Sequence, residues 1–182
     1  MQSLSERESR KAVCNLMLPQ FSFDTIAEVS IAIAGFSGLA AAFRTRRMRD
    51  WAEWERIWFW YILTWSFGSL LFSLLPPVLG GLGLTPSGAW ALSSLLLALF
   101  ILGAVGLGAR RGSQLHRSGS PHPRWGATAA AALPALGAAA LLLGSVAGVG
   151  VSPLGAYQLA LYVTLGQACG SFLLFLQYPL SE

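Results

Sequence analysis

Five long apolar runs dominate this chain and leave room for little besides helices that cross a membrane. They occupy residues 25–43, 57–79, 90–109, 127–149 and 154–177. A helix of about 20 residues, rising 1.5 Å per residue, crosses roughly 30 Å of hydrocarbon. With 54% hydrophobic and only 11% charged residues, the chain is also too apolar for an ordinary soluble domain. The sequence therefore predicts an all-α polytopic membrane protein, with five transmembrane helices in a single membrane domain over residues 1–182.

A twelve-residue segment occurs twice in the chain. Residues 81–92 read GLGLTPSGAWAL, and 67 residues later residues 148–159 read GVGVSPLGAYQL, with six identical positions and four conservative ones. In each copy a hydroxyl residue, Thr85 or Ser152, precedes a proline, which is the typical order at the start of a helix. The match predicts one N-terminal helix followed by two related helical hairpins. The alternative is convergence, because tight membrane turns favour glycine, Ser/Thr-Pro and an aromatic residue.

The arginines between the spans indicate how the chain is oriented. They fall in the first and third connections, at Arg44, Arg46, Arg47, Arg49 and Arg56, and at Arg110, Arg111, Arg117 and Arg124. The other two connections, residues 80–89 and 150–153, carry no charge. Because basic loops remain in the cytoplasm, the pattern predicts an N-terminus outside and a C-terminus inside. Residues 1–20 then form an outer tail, and residues 110–126 form a flexible basic inner loop.

Small residues recur every four positions along the first span, at Ser30, Ala34, Gly38 and Ala42. We call this set the small-residue stripe; such a stripe lets another helix approach closely. The fourth span carries a similar set at Ala140, Gly144 and Gly148. Packing of the first span on the fourth is therefore the favoured interpretation, and packing on another subunit is the alternative.

Aromatic residues mark the entrance to the second span, at Trp51, Trp54, Trp58, Tyr61 and Trp65. The intervals of three, four, three and four residues place all five rings along one side of a continuous helix. We call this set the aromatic seam. It indicates either an aromatic belt that anchors the helix at the membrane surface or a surface for a partner helix, a lipid, a quinone or a pigment.

Asp24 and Glu28 stand one helical turn apart near the outer end of the first span. An ionised carboxylate at the centre of a bilayer costs about 2.5–3.5 kcal/mol, so Glu28 requires a partner, water or a proton. One hypothesis is a cation or proton site. The other places the pair at headgroup depth, where Arg10 or Lys11 of the tail would neutralise it.

Histidine, the residue used most often in acid–base catalysis and metal binding, is missing from the spans. Both histidines, His116 and His122, belong to the inner loop, and the two cysteines, Cys14 and Cys169, form no CxxC motif. The chain contains no glycine-rich phosphate loop and no HExxH motif. We therefore expect no enzyme activity, no cofactor and no metal site. The net charge of +4 is accounted for by the arginines between the spans, so no nucleic-acid partner is expected.

Residues 26–43, IAEVSIAIAGFSGLAAAF, precede a group of arginines, a tryptophan-rich entry helix and the segment WALSS at residues 90–94. This combination resembles a group of small uncharacterised bacterial multi-pass membrane proteins, most clearly over residues 24–100. The resemblance implies a location in the bacterial inner membrane. It implies no activity, cofactor or catalytic residue.

The expected function is that of a non-catalytic membrane subunit that packs against and stabilises a larger membrane protein complex. The small-residue stripe or the aromatic seam would form its contact surface. The expected partners are other membrane protein subunits and lipid, and self-association is possible. The alternative is a small oligomeric channel or transporter, in which Asp24 and Glu28 form a cation site at the outer mouth.

Overall fold

The computed structural model describes residues 4–43, 53–117, 125–150 and 152–177. Within them it describes the side chains of residues 23–42, 56–114, 117, 132–150 and 152–176. The described chain is helical apart from its turns, which confirms the all-α prediction. The helices are α1 (Leu4–Phe43), α2 (Glu53–Gly81), α3 (Pro86–Arg117), α4 (Trp125–Val146) and α5 (Pro153–Gln177).

Four of these helices are long and apolar enough to cross a membrane. The candidate spans are Phe23–Ala42, Arg56–Gly81, Pro86–Gln114 and Pro153–Leu176. In α4 the apolar stretch with described side chains, Ala132–Val146, is shorter. The described part of the chain is thus helical, with four segments of membrane-spanning length and a fifth helix whose described apolar stretch is shorter.

Two helices extend well beyond the apolar runs. α1 begins at Leu4, so most of the predicted outer tail belongs to the same 40-residue helix as the first span. α3 continues to Arg117. The prediction of a flexible loop is therefore wrong for residues 110–117, because arginine, glutamine and leucine favour helix and no proline occurs there. Residues 118–124 of that loop lie outside the described ranges.

The turn between α2 and α3 and the turn between α4 and α5 have matching helix caps. The amide three residues after Thr85 donates to the Thr85 hydroxyl at 3.3 Å, and the amide three residues after Ser152 donates to the Ser152 hydroxyl at 3.2 Å. Each hydroxyl therefore caps the following helix, as the sequence predicts. α2 and α4 end with the same pair of backbone hydrogen bonds, at Gly83 (φ 90°) and Gly148 (φ 78°), and positive angles of this kind are ones that only glycine adopts without strain. The second turn has a further such glycine, Gly150 (φ 59°). The two turns thus start α3 and α5 in the same way but differ in length, since α3 begins five residues after the end of α2 and α5 seven residues after the end of α4.

α2 lies at the centre of the bundle. It packs most extensively against α5 and α1, and also against α3, while α4 packs against α3 and α5. The buried face of α1 is covered by α2 and, over a smaller area, by α5. The predicted packing of the first span on the fourth is therefore wrong.

Three aromatic rings from three helices meet near the α2–α3 and α4–α5 turns. The ring centroid of Trp90 lies 5.9 Å from that of Phe23 and 5.6 Å from that of Tyr157, and the Phe23 and Tyr157 centroids are 6.1 Å apart. These contacts hold α1, α3 and α5 together at one end of the bundle. Pairs in such tilted and edge-to-face geometry contribute about 0.5–1.5 kcal/mol beyond their burial.

Candidate functional site

Two residues of the aromatic seam, Tyr61 and Trp65, pack against α3. Trp65 is only 2% exposed, and its ring meets the Phe100 ring edge-on with centroids 5.9 Å apart. The Tyr61 hydroxyl lies so close to Gly108 that a Cβ atom at that position would overlap it. Both rings therefore contact α3 of the same chain.

The remaining seam residues are described less fully. Trp58 is half-buried, and its ring centroid lies 6.1 Å from that of Tyr61. Trp51 lies outside the described residues, and for Trp54 the structure describes the backbone in α2 alone. Trp58 packs against the cluster of Phe59, Ile62 and Phe175, so the described seam residues that contact α3 are Tyr61 and Trp65.

The small-residue stripe turns from the inside of the bundle to the outside. Ser30 is buried and donates a 2.7 Å hydrogen bond to the carbonyl of Ile26, and Ala34 is half-buried. Gly38 and Ala42 are exposed. With 3.6 residues per turn, each four-residue step advances about 40° beyond a full turn, so the set drifts by roughly 120° from its first to its last member. Within the described part of this chain the stripe is therefore covered at Ser30 and uncovered at Gly38 and Ala42.

Asp24 and Glu28 both lie on the exposed side of α1, while Phe23 and Ile26 on the other side are buried. Glu28 follows the start of the span at Phe23 by five residues, which places it roughly 7 Å deeper along the helix axis. Neither carboxylate forms an ion pair or a hydrogen bond with any residue whose side chain is described. The two groups thus face away from the bundle, with Glu28 inside the apolar segment.

The tail of the same chain cannot neutralise this pair. α1 is one continuous helix from Leu4, so the backbone of Lys11 lies 13 residues before Asp24, or about 20 Å along the axis. That distance is longer than a lysine and an aspartate side chain can bridge together, and Arg10 lies one residue further away. The predicted pairing of the carboxylates with Arg10 or Lys11 is therefore wrong within one chain.

The exposed carboxylates belong to a longer row of exposed residues on α1. It comprises Asp24, Glu28, Ile31, Gly35, Gly38 and Ala42, and we call it the outward face. The intervals alternate between four and three residues, which keeps the row on one side of a helix. A Cβ atom added at Gly35 or Gly38 would meet no atom of another helix within 4 Å. Among the four candidate spans, the one in α1 buries the smallest share of its residues, 22%, compared with 44% in α2.

Four members of the outward face were expected from the sequence as site residues, and Ile31 and Gly35 were not. A strict four-residue repeat along the first span selects the drifting stripe instead. The alternating four-three spacing of the aromatic seam would have identified the complete row.

The buried polar groups connect α2 to α5. The Ser69 hydroxyl donates to the Thr164 hydroxyl at 2.9 Å, and the Thr164 hydroxyl donates in turn to the carbonyl of Leu161 at 2.8 Å. The hydroxyls of Ser66 and Ser94 are buried without a hydrogen-bond partner in the described part of the chain. Among the described side chains, no three of His, Cys, Asp and Glu come close enough together to hold a metal ion. The Ser69–Thr164 pair thus joins α2 to α5.

Comparison of the chain with protein families, with curated proteins and with solved structures finds no match. The membrane type, the orientation and the function expected from the sequence therefore stay predictions.

Proposed function

We propose that this chain is a non-catalytic integral membrane subunit that packs against and stabilises a larger membrane protein complex through the outward face of α1. The observation that carries the proposal is the position of Asp24 and Glu28 on the exposed side of a membrane-spanning helix. A carboxylate in contact with lipid is unfavourable, by up to about 2.5–3.5 kcal/mol at the bilayer centre. A partner helix that pairs with Glu28 would remove this cost.

The proposal includes the membrane and the orientation. We place the protein in the bacterial inner membrane, with the N-terminus outside, the C-terminus in the cytoplasm and α4 as a fifth span. α4 has 22 residues, which is about 33 Å of helix. Arg56 at the start of α2 and Arg110 and Arg111 near the end of α3 are exposed at the same end of one hairpin. That end is the cytoplasmic one if basic residues remain inside.

We further propose that α2–α3 and α4–α5 are related hairpins. Their turns have the same caps, and Trp90 and Tyr157, at matching positions, contact each other with centroids 5.6 Å apart. A two-fold axis along the membrane normal would exchange α2 with α4 and α3 with α5. The extensive packing of α2 on α5 then corresponds to the packing of α3 on α4. Parallel repeats in membrane proteins have this symmetry.

A small oligomeric channel is the second candidate function. It is favoured by the spacing of Asp24 and Glu28, which share one exposed side of α1 a single turn apart. Copies arranged with α1 towards a central axis would form a ring of carboxylates at the outer mouth. Acidic rings of this kind select cations.

Native mass spectrometry of the protein, taken from its own membranes in a mild detergent, tests the proposal. We expect a heteromeric complex that contains this chain. A homo-oligomer without other proteins would contradict the subunit function and favour the channel. Cation flux into vesicles that contain the purified protein then separates the two functions. A channel would conduct cations as the unchanged protein and lose this flux in the double variant Asp24→Asn, Glu28→Gln. A non-conducting subunit would give no flux with either protein.

A further inference from the structure

We infer that the partner at the outward face of α1 is a transmembrane helix that carries a lysine or an arginine in the outer third of the membrane. This inference rests on the proposed subunit function and adds the chemistry of the partner. It depends on the charge, the depth and the spacing of residues in the outward face.

The negative charge of Asp24 and Glu28 favours a basic partner. Asp24 and Glu28 are exposed on one side of α1, and Arg10 and Lys11 of the same chain are too far along the helix to reach them. Charged residues within membrane spans usually pair with charges of opposite sign. A long basic side chain on a neighbouring helix satisfies both carboxylates, since they lie one turn apart, and its charged end can still approach the headgroups.

The same charges disfavour a second copy of this chain as the occupant. Two copies in one membrane have the same orientation, so a two-fold contact through this face would place Asp24 and Glu28 opposite their own equivalents. Like charges held this close destabilise each other unless a proton or a cation is bound between them. A helix of opposite charge has no such conflict.

The deeper part of the outward face indicates how the partner packs. The alternation of four and three residues is typical of helices that cross at a shallow left-handed angle. Gly35 and Gly38 have no side chain, and no described residue of another helix lies within 4 Å of their Cβ positions. A partner helix can therefore approach the α1 backbone closely there. Glu28 and Gly35 are seven residues apart, so the partner should carry a large apolar side chain about 10 Å deeper than its basic residue.

Binding to designed helices in lipid bicelles tests this inference. The full-length protein, with a fluorescent donor at its C-terminus, is titrated with a leucine-alanine helix of about 24 residues that carries an acceptor. One version of the helix has a single lysine about six residues from one end, and the other has leucine at that position. We expect the lysine helix to bind about fivefold more tightly or better. The double variant Asp24→Asn, Glu28→Gln should bind both helices equally.

A matched pair of variants tests the surface itself. Gly35→Leu should weaken binding of the lysine helix, because the new side chain keeps the partner away from α1. Gly106→Leu adds the same side chain to an exposed position of α3 that also has no neighbour within 4 Å, and binding should remain unchanged. Circular dichroism of each variant confirms that the bundle is folded.

Three results would overturn the inference. They are equal binding of the lysine and leucine helices, a lysine preference that persists in the neutralised variant, and equal loss of binding in Gly35→Leu and Gly106→Leu. If the chain still belongs to a heteromeric complex in its own membranes, such a result rejects the basic partner alone. A homo-oligomer in those membranes would reject the proposed function as well.

Discussion

The Tyr157 hydroxyl donates a 2.6 Å hydrogen bond to the backbone carbonyl of Phe72 and so joins α5 to α2 in the buried core. Phe72 lies four residues before Pro76, which stands inside α2 and has no N–H to donate to that carbonyl. An unpaired backbone carbonyl is costly where no water is present. Tyr157 therefore supplies the hydrogen bond that Pro76 removes.

We predict that Tyr157→Phe lowers the free energy of unfolding by about 0.6–1.7 kcal/mol, the range for single polar contacts between membrane helices. In a Pro76→Ala background the loss should be smaller, because the alanine N–H can pair with the Phe72 carbonyl within α2. Unfolding titrations in mixed micelles of the unchanged protein, Tyr157→Phe, Pro76→Ala and the double variant measure the difference between the two losses. Equal losses in the two backgrounds would show that Pro76 does not make this carbonyl depend on Tyr157.

A second prediction concerns the contact of α2 with α3. A Cβ atom at Gly68 would overlap the Phe100 ring, so Gly68→Ala should destabilise the bundle by about 1–3 kcal/mol through overpacking. Gly106→Ala is the matched control on an open helix surface, and it should be neutral or stabilise the protein by up to about 1 kcal/mol. The same unfolding titration compares the two. If Gly68→Ala is as well tolerated as Gly106→Ala, the described packing of Phe100 is wrong.

A third prediction separates two buried serines of α2. Ser69→Ala removes the 2.9 Å hydrogen bond to Thr164 and should lower the free energy of unfolding by about 0.6 kcal/mol. Ser66→Ala removes a buried hydroxyl that has no partner among the described residues, so stability should stay the same or rise. Unfolding titrations of both variants check the difference. If Ser66→Ala loses more unfolding free energy than Ser69→Ala, the assignment of a stabilising hydrogen bond to Ser69 and of none to Ser66 is wrong.

Local chemistry made the turns predictable from the sequence. A hydroxyl followed by proline is enough to cap and start a helix, and both Thr85 and Ser152 cap the helices that were expected of them. Apolar runs likewise located four helices of membrane-spanning length. These features depend on residues close together in the chain, so they require no knowledge of the tertiary structure.

The neighbours of each helix could not be predicted in the same way. Periodicity predicted that Trp58, Tyr61 and Trp65 share one side of α2, but it did not indicate that Tyr61 and Trp65 meet α3. In a soluble protein the apolar side of a helix is the buried one. In a membrane, side chains that face lipid are as apolar as those in the core, and hydropathy does not distinguish them.

The neighbours of the two carboxylates on α1 could not be predicted from the sequence either. The sequence indicated that Asp24 and Glu28 share a side of the first helix, and it left open whether the tail neutralises them. The continuous helix from Leu4 decides this point, because it holds Lys11 about 20 Å from Asp24. The length of α1 depends on how residues 4–22 fold, which no single motif in the sequence specifies.

The most direct test of the central claim, that the outward face of α1 is the partner surface, is native mass spectrometry of two variants expressed in place of the natural chain. We predict that Gly106→Leu remains in the same heteromeric complex as the unchanged protein, while Gly35→Leu appears as the free 19.4 kDa chain. If Gly35→Leu remains in a complex of unchanged mass, the outward face of α1 is not the surface that holds the partner.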